Sequence, residues 1–189
     1  MATYFIEEKD ERPIKLFFED EARFGRINVI GNCWVEKCKR AIVTQQVIRE
    51  YIYAYTSVCP ETGENFSIIS PVNNTEAMNE FLKAFSEAYL NYRIVLCLDG
   101  AGWHTSKALI LPENVQLLKL PPYSPELNPT EHIWDYIREQ KKFNNYTFPT
   151  LDAVEAQLSK SLKEINNEKE LMKSNVLLLL DEMFILIAV

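Results

Sequence analysis

The stretch RIVLCLDG, Arg93–Gly100, decides the fold. Its apolar residues run almost without interruption, the pattern of a strand covered on both faces rather than one. Asp99-Gly100 ends the run, so a carboxylate sits at the strand's mouth. Such a strand belongs in the middle of a sheet with helices on either side, and the neighbouring sequence supplies them. Upstream, Asn73 or Asn74 can cap a helix reaching about Tyr89, with Met78, Phe81, Leu82, Phe85 and Tyr89 at helical spacing. Downstream, Val115–Leu120 reads as another short strand, and Pro121-Pro122-Tyr123-Ser124-Pro125 cannot continue it because proline lacks the ladder donor. Asn128-Pro129-Thr130-Glu131 then opens a helix, with asparagine as cap and proline at the first helical position. A last amphipathic helix is expected around Leu151–Ile165.

Earlier in the chain the period is two. Ile14, Leu16, Phe18 and Asp20 share one face of a strand, and Lys15, Phe17, Glu19 and Glu21 share the other. Asp20 is the acid on the apolar face and the expected end of the strand. Val47–Val58 is aromatic and β-branched, and Pro60-Glu61-Thr62-Gly63 turns it toward a partner over Phe66–Ile69. The expected architecture is α/β: a mixed central sheet, an antiparallel meander plus parallel strands, flanked by helices.

A chain of 189 residues suits one core. We assign residues 14–170 to it, with 1–13 as an N-terminal extension and 171–189 as an atypical apolar tail. That tail is split by Asp181 and Glu182 and falls short of the ~20 residues of a membrane span, so no membrane partner is expected. Twenty basic against 27 acidic side chains give a net charge of −7, which excludes nucleic-acid coating by bulk electrostatics. The sign reverses locally over 21–50, where Arg23, Arg26, Lys37, Lys39 and Arg40 are candidates for DNA contact. Four cysteines without a CxxC pair give little support to a zinc site, and Met1–Asp10 has no secretory apolar region, which points to the cytoplasm.

Three acids fall at element ends: Asp20, Asp99 and Glu131. Side by side at the carboxyl ends of parallel strands, Asp20 and Asp99 would repel unless cations neutralised them. Oxygen-only donors suit Mg²⁺ or Mn²⁺, and two such ions can drive in-line displacement at a phosphodiester. Blander uses compete: a wet strand end for Asp20, a turn for Asp99, and a capping box with Asn128 for Glu131. His104, five residues past Asp99, could contact a phosphate or orient a water, or simply make a structural hydrogen bond. Trp103, Tyr123 and Trp134 could pack against bases or sugars, or be plain core. The motifs of P-loop enzymes and of α/β-hydrolases are absent from the sequence.

Three blocks, FFEDEARFG (Phe17–Gly25), VLCLDGAGWHTSK (Val95–Lys107) and LPPYSPELNPTEHIW (Leu120–Trp134), resemble the DDE transposases of the insertion-sequence 630 and mariner superfamily. The last block is the most specific. The resemblance covers roughly Ile14 to Phe143 and implies a ribonuclease H-like fold, with Asp20, Asp99 and Glu131 as catalytic and metal-binding triad for two Mg²⁺ or Mn²⁺ ions. It also implies cut-and-paste DNA transposition at a TA target, and transposon ends as partner. The family's helix-turn-helix region would lie on a separate or missing polypeptide, and a homodimer is a further expectation. An inactive remnant that binds DNA or a partner subunit, and a ribonuclease H-type nuclease acting on hybrids, are the alternatives.

Overall fold

In the computed structural model, residues 10–122, 124 and 127–174 are described, without the side chains of Trp103 and Thr105. Five strands form one sheet in the order β3-β2-β1-β4-β5. They are β1 (Ile14–Ile27), β2 (Val47–Val58), β3 (Asn65–Ser70), β4 (Arg93–Leu98) and β5 (Val115–Lys119). The first three form an antiparallel meander, whereas β4 pairs parallel with both β1 and β5. Helix α1 (Thr75–Ala88) joins β3 to β4, and α2 (Thr130–Gln140) and α3 (Leu151–Asn167) follow the sheet. This is the expected mixed sheet flanked by helices, and the fold is ribonuclease H-like.

The sheet divides the core in two. One cluster joins Phe17, Tyr55, Ile94 and Leu96 of the sheet to Met78, Phe81, Leu82 and Phe85 of α1. The other joins Phe18, Phe24, Ile52 and Ala54 to Trp134 and Ile137 of α2 and Val154, Leu158 and Ile165 of α3. β4 feeds both clusters, since Ile94, Leu96 and Leu98 lie on one side and Cys97 on the other. That is why its sequence does not alternate. Helix α1 starts where Asn74 Oδ1 accepts from the Ala77 amide at 2.9 Å, as its sequence predicts. The β2–β3 hairpin turns through Gly63 at φ +68°, where a Cβ would also meet the Lys169 carbonyl oxygen at 2.0 Å.

One expectation needs correction. β1 does not end at Asp20 but runs seven residues further, because β2 partners it from Phe18 to Gly25. Only the parallel ladder with β4 stops there, its last pair being Phe18–Cys97. Asp20 is therefore at the end of a ladder rather than of a strand. Helix α2 opens as its sequence predicts: Pro129 is already helical at φ −63° and ψ −15°, and Asn128 Oδ1 accepts from the Thr130 amide at 3.2 Å. Asn128 has a further task, described below. The boundaries expected at 1–13 and 171–189 fall largely outside the described residues, although Met172 is buried in the α2/α3 cluster. Residues 28–46, between β1 and β2, form an arm with almost no regular structure, on which Trp34 and Ile42 are 103% and 96% exposed.

Candidate active site

Asp20, Asp99 and Glu131 line one cleft of about 340 Å³, together with Gly100, Leu120, Pro121, Pro122, Ser124 and Asn128. Each acid arrives there on a different element. β1 carries Asp20 past the end of its ladder with β4. Asp99 is the first residue beyond β4, and its Oδ1 accepts from the Ala101 amide at 2.8 Å. Glu131 stands in the first turn of α2.

The start of α2 is bolted to β1. The Asn128 side-chain amide donates to the Glu19 carbonyl at 2.9 Å, and the Thr130 hydroxyl donates to the Phe18 carbonyl at 3.0 Å. Both side chains are buried, and the carbonyls they reach lie at and one residue past Phe18–Cys97, the last pair of the β4 ladder. These bonds hold the start of α2, and with it Glu131, against the strand that carries Asp20. One turn further, Trp134 Nε1–H donates to Asp20 Oδ2 at 2.7 Å. Trp134 is thus both core, 1% exposed, and the group that orients the first acid. Tyr123 and the Trp103 side chain lie outside the described residues.

Burial and the negative charge of Glu131 push the Asp20 carboxyl up to about 7, against the downward pull of the Trp134 hydrogen bond. Three carboxylates with no cationic side chain among the cleft's described lining make a donor set that suits a hard divalent cation. Asp20, Asp99 and Glu131 are the residues that would hold it. Their oxygens do not close to within 4.8 Å of one another, as a second set of groups does.

That second set is Glu19, Glu21 and His104, on the opposite face of β1. His104 sits in a 3₁₀ turn, Gly102–Thr105, directly after Asp99-Gly100-Ala101. Its Nδ1 lies 3.0 Å from Asp99 Oδ1 and 3.2 Å from the Asp99 carbonyl. Its Nε2 lies 3.0 Å from Glu21 Oε1 and 3.8 Å from Glu19 Oε2. Burial lowers the affinity of the imidazole for a second proton, but the hydrogen bond and charge of Glu21, with Asp99 behind them, turn the balance upward. Glu19 is fully buried, and that burial, reinforced by the charges of Glu21, Asp20 and Asp99, raises its carboxyl well above the usual range.

His104 is 3% exposed and faces protein partners, so it touches Asp99 rather than the cleft's solvent. Glu19 and Glu21 escaped sequence reasoning, although the signal was there: Phe17 shares their face, and a buried phenylalanine two residues away marks that face as covered. Of the basic candidates, Arg23 is exposed and lies over the Tyr51 ring at 4.4 Å. Arg26 is tied to Glu50 at 2.8 Å and to the Phe148 carbonyl at 3.1 Å. Lys37, Lys39 and Arg40 are exposed on the arm, with Lys39 paired to Glu36.

The family described as DDE superfamily endonuclease matches residues 15–155. An uncharacterised protein of Sinorhizobium fredii (strain NBRC 101917 / NGR234), y4pE/y4sA, is 40% identical over 90 residues, which are 47% of this chain and 67% of that protein. Among solved structures, the chain resembles the pre-cleavage Mos1 transpososome at a TM-score of 0.58 and 14% identity, over 86% of this chain and 56% of that one. It resembles the Mos1 strand transfer complex at 0.56 and 16% identity, over 86% and 55%. The Mos1 mariner paired end complex with Mn gives 0.57 and 14%, over 86% and 56%. The chain thus spans a little over half the length of these Mos1 chains. Among the described residues, no helix is long and apolar enough to cross a membrane.

Proposed function

Because this chain belongs to the DDE superfamily endonucleases, we propose that it is the catalytic domain of a transposase, cutting DNA strands and joining them to new sites. One observation carries the reading: Asp20, Asp99 and Glu131, 79 and 32 residues apart in sequence, line a single cleft. Asp20, Asp99 and Glu131 are its catalytic residues, and they would hold two Mg²⁺ or Mn²⁺ ions. Bound there, the ions would activate the attacking oxygen and stabilise the leaving one.

The chain's own residues prepare that step. Trp134 fixes the rotamer of Asp20, Asn128 and Thr130 hold the start of α2 against β1, and His104 holds Asp99. In cleavage, water attacks the phosphorus and the 3′-oxygen departs, taking a proton to become a 3′-hydroxyl. In joining, that hydroxyl attacks the phosphorus of a second phosphodiester and loses its proton, while the bond from that phosphorus to the target strand's 3′-oxygen breaks and the departing oxygen takes up a proton. No covalent enzyme intermediate is needed.

Arg23, Lys37, Lys39 and Arg40 are the exposed cations that would meet phosphates; Arg26, already engaged twice, is the weakest of the set. Transposon ends, a TA target, a helix-turn-helix partner polypeptide and the cytoplasm complete the reading on the strength of the sequence resemblance. For a homodimer the structure adds the apolar exposure of Trp34 and Ile42, area that a second copy would cover. The test is Mn²⁺-dependent nicking of supercoiled plasmid and joining of an oligonucleotide bearing a free 3′-hydroxyl. Loss of both in Asp99→Ala, with an unchanged melting temperature, is the expected result. Undiminished nicking by that variant would overturn the assignment.

A further inference from the structure

Glu19 presents a problem in physical chemistry. Its carboxylate is 0% exposed, and neither of its oxygens accepts a hydrogen bond. Directly across the β1–β2 ladder stands Ser57, whose buried hydroxyl also has no hydrogen-bond partner. Cross-strand neighbours share a face of the sheet and stand about 5 Å apart at Cβ, so two unsatisfied polar groups meet at one spot. A single one of these is costly, and a buried carboxylate is the costliest kind. Beside them lie Glu21 and His104, their side chains only 5% and 1% exposed.

A proton alone does not resolve this. With Nδ1 facing both the Asp99 carboxylate and its carbonyl, the Nδ1 proton is committed there. A second proton on Nε2 would serve Glu21 at 3.0 Å, but at 3.8 Å it would leave Glu19 unserved. A cation serves all three donors at once. Atoms arranged tetrahedrally about an ion at about 2.0–2.2 Å are about 3.4 Å apart, and the separations from Nε2 to the two carboxylates bracket that figure. All three donor atoms lie within 4.8 Å of one another.

We propose that Glu19, Glu21 and His104 bind one divalent transition-metal ion, in a site separate from the cleft and on the other face of β1, with Ser57 Oγ completing the shell. One imidazole and two carboxylates suit Zn²⁺ or Mn²⁺ better than Mg²⁺, which prefers oxygen and retains its waters. The two carboxylate charges and the ion cancel, so the buried site is neutral. The ion would also have a structural reach. A metal-bound histidine typically donates its other N–H to a carboxylate, and here that carboxylate is Asp99. The buried ion would thus set the orientation of an acid in the open cleft.

The inference does not rest on the DNA-cleaving reading, and its test uses no DNA. Asp20→Asn/Glu131→Gln removes two carboxylates of the cleft, so that any ion retained belongs elsewhere. This double variant is stripped with chelator, reloaded with Zn²⁺, passed through a desalting column and assayed for metal by mass spectrometry. One ion per chain is expected, falling to none when Glu19→Gln or His104→Asn is added. Reloading with Co²⁺ should give the visible absorption of a four-coordinate ion, and this band should vanish in the same two variants. Circular dichroism establishes that each is folded. No ion on the folded double variant, or equal metal content with and without Glu19 and His104, overturns the site. If both added variants fail to fold, the Co²⁺ spectrum of the double variant decides alone: the spectrum of a six-coordinate, all-oxygen ion overturns the site.

Discussion

Glu19 and Asp20 are adjacent in sequence and opposite in circumstance. The strand's pleat sends Asp20 into an open cleft with two other acids, and Glu19 into a closed layer beneath α1. Both carboxyls are pushed upward, chiefly by burial. They differ in what nature of relief is at hand. Asp20 has a tryptophan N–H at 2.7 Å and a cleft open to ligands, whereas Glu19 has no hydrogen bond at all. A carboxylate is made useful less by its own ionisation than by access to something that can use it. In the proposed readings the two faces of β1 separate a site for reacting from a site for holding, and His104 touches Asp99 where they join.

The largest expected effect breaks the comparison on the cleft side. Asp20→Ala should reduce Mn²⁺-dependent nicking to background while moving the melting temperature of the metal-free chain little, since relief of the repulsion with Glu131 offsets the Trp134 N–H left without its acceptor. Parallel assays of nicking and thermal unfolding check both halves; a variant that nicks normally, or that unfolds much earlier, would make Asp20 a structural acid.

This division was only half legible in the sequence. The apolar run of β4, the Asn74 cap and the acid after Leu98 are local signals, and the structure bears them out because local backbone preference and burial agree there. Asp20 is different. Its strand continues through Glu21, Ala22 and Arg23 because β2 supplies a partner some thirty residues away, and no local pattern reports a tertiary partner. Trp134 reads as helix core by spacing, and it is core; its N–H bond to Asp20 depends on α2 docking across β1. Asn128 reads as a cap, and its Oδ1 does accept from the Thr130 amide, but its side-chain amide also reaches a β1 carbonyl 109 residues away, which no local pattern reports.

Next in size is the support for Asp20. Trp134→Phe keeps most of the buried ring and removes the N–H, leaving Asp20 without its orienting donor. Nicking should fall about 10–100-fold, the usual cost of losing a partner that orients a metal ligand, and half-saturation should require more Mn²⁺. A Mn²⁺ titration of initial rates reads both, and a change in neither would deny Trp134 its positioning role. Metal removal comes third. Mn²⁺ at about 100 times a site's dissociation constant should stabilise the chain by about 2.7 kcal/mol for each site filled, or about 5–10 °C in melting temperature for a domain of this size. Since two sites are proposed, the part of the shift lost in Asp20→Asn belongs to the cleft and the remainder to the opposite face.

The pH dependence is smaller and has a definite sign. In the metal-free chain the Asp20 carboxyl is raised from 3.8 to about 7, so the folded state keeps a proton that the unfolded state releases. Its contribution is most favourable below the unfolded value, declines as pH rises toward 7 and is lost above it. Each pH unit crossed is worth about 1.4 kcal/mol at most. The difference in unfolding free energy between the wild type and Asp20→Asn, followed from pH 4 to 8 in chelator, isolates this group from the others. A difference that does not change over that range would show that Asp20 ionises as freely in the fold as outside it.

The smallest effect separates the two faces at neighbouring positions on β2. Thr56 pairs with Asp20 across the ladder, and its hydroxyl is bonded to the Ser67 hydroxyl at 2.7 Å. Ser57 pairs with Glu19, and its hydroxyl is unpartnered. Removing a satisfied buried hydroxyl costs about 1 kcal/mol, because its partner is left stranded. Removing an unsatisfied one strands nothing and is neutral or slightly stabilising. Thr56→Val should therefore destabilise the chelator-treated protein in urea by about 1 kcal/mol, and Ser57→Ala should not. Reloading with Zn²⁺ sharpens the contrast: if Ser57 Oγ joins Glu19, Glu21 and His104 around an ion, Ser57→Ala becomes the costlier of the two. A Ser57→Ala variant that loses stability equally with and without Zn²⁺ would mean that its hydroxyl serves the protein alone.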